Sequence, residues 1–169
     1  MIEFYKLAID DLSFLNEVRN ECAVEYLHDS RIFTLEETIK WFNEVKPVFW
    51  IIRLNGEKIG YFRTSNYSLV DESIYVGADL HKDFRGKGLA YESYCKFLPF
   101  LFNEFALNKI MLEVLNTNKR AISLYNKLGF KIDEIKIDEI LKNGVFVNSI
   151  VMSIDKKRLC VWTVLNNTK

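Results

Sequence analysis

Apolar positions in the first half of the chain switch between the two periods that secondary structure allows. Ile2 to Leu7 reads as a strand. Leu12, Leu15, Val18, Cys22 and Tyr26 then fall on one face of a helix that Asp10 or Asp11 can cap and that runs to about Leu27. Tyr26 to Phe33 is a connection. Thr34-Leu35-Glu36-Glu37 has the form of a capping box, in which hydroxyl and carboxylate satisfy the first amides of a helix, here predicted to reach about Val45. Val48 to Leu54 and Lys58 to Asn66 are apolar or β-rich and flank Asn55-Gly56, a dipeptide at ease in a two-residue hairpin turn. Ser73 to Leu80 reads as a further strand.

In the second half, a long amphipathic helix is predicted from near Gly86 to about Phe105, kinked or divided at Pro99. Lys109 to Leu115 is an apolar strand. Thr117 or Asn118 caps a helix that ends at Leu128, where Gly129 supplies the left-handed stop. Phe130 to Ile140 and Val145 to Ile154 read as strands around the turn Lys142-Asn143-Gly144. Hairpins and strand-helix crossovers are mixed, so the pattern predicts an α/β (α+β) fold, a sheet with helices on its faces. No repeat or Gly/Ser-rich linker divides the chain, which reads as one domain over 1–154 and a tail, 155–169, of no predicted form.

Composition narrows the function. A chain of 169 residues buries roughly two-thirds of its unfolded surface and needs no disulfide or metal to fold. Its formal net charge is zero, against the basic excess of a nucleic-acid binder. The run Lys156-Lys157-Arg158 reads as a solvated turn. Cys22, Cys95 and Cys160 are odd in number and form no CxxC pair, which suits reduced thiols. His28 and His81 have no spaced ligand set around them, so no metal is expected. The N-terminus lacks the basic and apolar regions of a signal peptide, and Phe97 to Leu107 is too short and too polar to span a bilayer. The expectation is a cytoplasmic protein, monomer or homodimer, with no nucleic-acid or membrane partner.

The sharpest local feature is His81-Lys82-Asp83-Phe84-Arg85-Gly86-Lys87-Gly88-Leu89-Ala90, placed between a strand and a helix. Gly86 and Gly88 remove side chains where backbone turns tightly or approaches a ligand. The helix that follows brings free N–H groups and a positive dipole end to the same place, an arrangement suited to a pyrophosphate. Arg85 and Lys87 add charge nearby. A Walker loop is excluded because Gly88 follows Lys87 where Ser or Thr is required, and a dinucleotide fingerprint lacks its third glycine.

This segment resembles the coenzyme A pyrophosphate motif of the GNAT acetyltransferases, (Q/R)-x-x-G-x-(G/A), with Arg85, Gly88 and Ala90 at its fixed positions. Farther on, Asn118-Lys119-Arg120-Ala121-Ile122-Ser123-Leu124-Tyr125-Asn126-Lys127-Leu128-Gly129-Phe130 is similar to the family's second motif, N-x-x-A-x-x-L-Y-x-K-x-G-F, at every fixed position. Arg19-Asn20 and Phe33-Thr34 through Trp41-Phe42 resemble the branch of ribosomal-protein, polyamine and amino-sugar-nucleotide acetyltransferases.

The resemblance implies a mixed, mostly antiparallel sheet with helices on both faces, and acetyl-CoA as cosubstrate without a metal. It implies that the amides of Arg85, Gly86, Lys87, Gly88, Leu89 and Ala90 hold the pyrophosphate. Leu80, His81 and Lys82 would pair with the pantetheine amides, Asn118 would contact the same arm, and Tyr125 would protonate the departing thiolate. The base is open. The family's usual glutamate position falls at Tyr75, which is no base, leaving Asp79, His81, Glu72, His28 or a water relay; Glu113 reads as a paired sheet carboxylate. The acceptor is expected to be a small-molecule or peptide amine. An amino-sugar nucleotide comes first, because Tyr26, His28, Asp29 and Arg31 suit a sugar and its phosphate, with a polyamine or a protein N-terminus as alternatives. A non-catalytic acyl-CoA sensor would need the cradle but not Tyr125.

Overall fold

A computed structural model of the chain describes residues 1–159. They form a seven-stranded sheet in the order β1-β2-β3-β4-β5-β7-β6. Its strands are β1 Ile2–Lys6, β2 Phe49–Leu54, β3 Glu57–Ser68, β4 Ser73–Leu80, β5 Lys109–Leu115, β6 Lys131–Lys142 and β7 Val145–Asp155. All neighbours are antiparallel except β4 and β5. Helices α1 Leu12–Ala23 and α2 Leu35–Val45 pack on one face, and α3 Leu89–Glu104 and α4 Lys119–Lys127 on the other. Strand alternation divides the core accordingly: Ile51 and Tyr61 face α1, while Ile52 and Phe62 face α3.

The turn and cap signals are realised. Asn55 and Gly56 both take positive φ, at 51° and 88°, as the hairpin requires. Thr34 and Glu37 close their capping box, with the Thr34 amide 2.7 Å from the Glu37 carboxylate. Asp11 does not cap α1 with its side chain; its carboxylate turns back to the Ala8 amide at 2.9 Å and to Lys58 Nζ at 2.7 Å.

Three boundaries differ from the sequence expectation. α1 stops at Ala23, because Tyr26 and Leu27 both donate to the Cys22 carbonyl and Lys142 Nζ donates to the Ala23 carbonyl at 2.9 Å. α3 starts at Leu89 instead of Gly86, because Gly86 and Gly88 both sit at φ 79°, outside the helical region. Pro99 does not divide α3. Its missing donor and ring clash cost about 3 kcal/mol, but Phe97, Leu98, Leu101 and Phe102 around it are all buried, each contributing about 1.5–3 kcal/mol.

The chain past β7 stays with the domain as far as it is described, since Leu159 is buried in the α3-side core. Cys160 and the remainder of the tail lie outside the described residues; Cys22 and Cys95 are free thiols. Among the described residues no helix is long and apolar enough to cross a membrane.

Candidate active site

The site exists because two parallel strands part company. β4 and β5 pair only at Ser73–Lys109, Ile74–Ile110 and Tyr75–Met111. Beyond Tyr75, β4 is bonded to β3 alone and β5 to β7 alone. The wedge leaves strand edges able to pair with an extended ligand. A cleft of about 720 Å³ follows it from the start of α3 to the connection after α1.

At one end lies the anion cradle. Gly88 is the N-cap of α3, and a Cβ placed on it meets no atom within 4 Å. The first amides of α3 are therefore approachable, and Leu89 and Ala90 line the cleft beside them. This end fits the pyrophosphate of the expected cosubstrate. The Arg85 side chain has a different place from the charge expected beside it. Its Nε donates to the Leu80 carbonyl at 2.7 Å and its Nη2 pairs with Glu21 of α1 at 3.2 Å. Lys82 donates to the same carboxylate through its backbone amide at 3.1 Å and pairs with it through Nζ at 3.3 Å. These cations tie the cradle to α1. Lys87 Nζ stands over the Phe84 ring, 5.7 Å from its centre. A residue the sequence reading passed over supplies charge here: Arg120 lines the cleft, with Nη2 3.0 Å from the point a Cβ on Gly86 would occupy. Its signal was a basic side chain in the first turn of α4, inside the second motif.

Midway along the cleft stands Tyr125, 7% exposed. Burial raises its phenol above the usual value, so it keeps its proton at neutral pH and is a donor. The Tyr94 ring meets it edge-on at 5.8 Å. Asn118 uses Oδ1 to accept from the Ala121 amide at 3.1 Å, capping α4, and also lines the cleft.

The sequence candidates for a base separate. Asp79 lines the cleft but is 6% exposed and pairs with Arg63 Nε at 3.3 Å. His28 reaches the cleft, with Nε2 2.7 Å from Ser149 Oγ and 3.7 Å from Glu113. Its burial lowers its pKa, which favours the neutral ring. Glu113 is paired, as read from the sequence, with Lys136 Nζ at 2.6 Å, and it also faces the cleft. Two candidates are not brought there. Glu72 precedes β4 at the far end of the wedge, where its carboxylate accepts from Asn108. His81 lies past the end of β4 between Glu17 and Glu21, at 3.4 and 3.5 Å, and its Nδ1 accepts from the Asp83 amide.

A strand wedge with an anion cradle at one end and a buried phenol at its centre is suited to acyl transfer from a phosphate-bearing thioester. Residues 2–131 match the family described as acetyltransferase (GNAT) domain, and the chain belongs to that family. It is an acetyl-CoA-dependent acetyltransferase. Its relatives include spermidine N(1)-acetyltransferase of Escherichia coli (strain K12), 24% identical over 164 residues that cover 90% of this chain and 85% of that one. The fold is shared with spermidine N-acetyltransferase from Vibrio cholerae in complex with CoA and spermine, at TM-score 0.86 and 22% identity, covering 94% and 98% of the two chains. It is also shared with ribosomal-protein-alanine N-acetyltransferase from Brucella melitensis, at TM-score 0.78 and 14% identity, covering 90% and 99%.

Proposed function

We propose that the acceptor is a polyamine, acetylated at a primary amine. The observation that carries this reading is the carboxylate on the cleft wall: Glu113 faces the cleft and is linked through Lys136, which also pairs with Glu139 at 3.6 Å. Two carboxylates share one lysine beside a histidine whose pKa is lowered. The cluster therefore keeps negative charge for a second ammonium of the acceptor. Relatives that act on spermidine along most of the chain's length support it.

The amino-sugar nucleotide ranked first in the sequence reading has lost its support. Asp29 and Arg31 were to take hydroxyls and phosphate. They bond to each other instead, Arg31 Nε to Oδ1 at 3.0 Å and Nη2 to Oδ2 at 2.7 Å. The Arg31 bonds hold the Asp29 carboxyl down to about 2, and neither side chain lines the cleft.

In the proposed reaction the neutral amine attacks the thioester carbon. A C–N bond forms, the C–S bond breaks, and the thiolate takes the proton of Tyr125. The proton shed by the amine leaves through water, so that Glu113 keeps the charge that holds the second ammonium. Neutralising a lysine-like amine at pH 7 costs about 4–5 kcal/mol, which is why a proton acceptor matters here. Competition kinetics with spermidine, an amino-sugar nucleotide and a peptide with a free N-terminus test the acceptor. Spermidine is expected to give the highest kcat/KM; a sugar nucleotide or peptide in first place overturns the acceptor and leaves acetyl transfer intact.

A further inference from the structure

We infer that Arg63 is a catalytic residue of this enzyme, its guanidinium donating to the thioester carbonyl oxygen as negative charge gathers there. Arg63 belongs to β3 and lies opposite Gly77 of β4. Gly77 is two residues past Tyr75, the last β4 residue paired with β5, so it stands where the wedge opens, and both residues line the cleft. A Cβ on Gly77 would lie 2.7 Å from Arg63 Nη2 and 3.2 Å from Cζ. No positive φ calls for glycine at this point. A glycine inside a strand weakens it by about 0.5–1 kcal/mol and marks a place where another group comes close. Here that group is the guanidinium, lying across the bare backbone.

The side chain is anchored at its inner end and open at its outer end. Nε is buried and forms an ion pair with Asp79 Oδ2 at 3.3 Å, without hydrogen-bond geometry. The side chain as a whole is 37% exposed, against 6% for Asp79, although Nε itself is buried. No hydrogen bond among the described residues engages either Nη. Arg63 and its partner Asp79 both act electrostatically on Tyr125, in opposite directions, which places the pair near the proposed proton donor. The other arginines of the cleft lie elsewhere: Arg85 is tied to Glu21 of α1, and Arg120 lies by Gly86.

A planar fork held by a carboxylate is a preorganised double donor. As the amine adds, the carbonyl π pair moves onto oxygen and is held by the Nη groups. The pair returns as the C–S bond breaks, and Tyr125 protonates the sulfur. This role does not depend on which amine is the acceptor.

The test compares kcat, the KM for acetyl-CoA and the calorimetric affinity for CoA in the full chain. Removing Arg63 alone strands a buried carboxylate, so the primary variant is the double Arg63→Gln/Asp79→Asn. It is expected to lose on the order of a hundredfold or more in kcat with CoA affinity within about threefold of the parent. Arg63→Lys keeps the charge but loses the fork; it decides the matter if the double variant does not fold, with an expected loss in kcat of about tenfold or more. Arg63→Ala is expected to regain activity with millimolar guanidinium that leaves the parent enzyme unaffected. A folded double variant, or Arg63→Lys, with kcat within threefold of the parent overturns the proposal. Loss of kcat in step with loss of CoA affinity, without guanidinium rescue, overturns it as well, because Arg63 would then be a strut of the cleft.

Discussion

Among single residues, Tyr125 carries the clearest prediction. Its hydroxyl is buried and its pKa raised, so removing only the proton isolates the proposed role. Tyr125→Phe keeps the ring that Tyr94 and Phe130 pack against. Turnover is expected to fall roughly ten- to a thousandfold with CoA affinity little changed, checked by steady-state kinetics beside calorimetry. Turnover equal to the parent removes Tyr125 from the mechanism. Tyr125 was legible in the sequence through the motif around it. Arg63 was not. Nothing in a linear reading shows that an arginine on one strand faces a glycine on the next, because that depends on hairpin register across the β3–β4 turn.

At the scale of elements, the junction of β4 and α3 is where the pyrophosphate is expected to bind, through backbone geometry. The left-handed Gly88 opens the first turn of α3 to the cleft. Gly88→Val puts a branched side chain where φ is 79° and blocks the approach of a phosphate. At least a tenfold weakening of CoA binding by calorimetry is expected, with the far-UV spectrum unchanged; unchanged affinity would place the pyrophosphate elsewhere. Two of the departures from the sequence expectation share one cause, while the start of α3 is set locally by its glycines. Pro99 and the end of α1 were judged from local propensity, whereas burial against the sheet carries α3 through its proline and a lysine from β6 ends α1.

Across the whole molecule, the connection after α1 is fastened to the far side of the wedge through His28, whose ring bonds Ser149 of β7, 121 residues away. Burial lowers the pKa of His28 in the folded protein. The unfolded chain therefore takes up this proton first, near pH 6.5. The stabilising contribution is full above that pH and is lost as pH falls through it towards the folded value. Urea unfolding at pH 7.5 and 5.5 should show a smaller loss of stability on acidification in His28→Gln than in the parent; equal losses would mean the ring is not buried neutral.

What the sequence determined by itself was whatever depends on neighbours in the chain. Element order, the Asn55-Gly56 and Asn143-Gly144 turns, the Thr34 box and the two family motifs are all short-range, because φ preference, capping and helix or strand period act over a few residues. Only the tertiary structure decided which carboxylates and cations meet. Glu113 and His28 come to the cleft while Glu72 and His81 do not. Arg85 turns to α1 while Arg63 and Arg120 face the opening. These choices follow from where two parallel strands part and from which side chains the packing of α1 and β6 leaves beside the gap, and that is a property of long-range pairing.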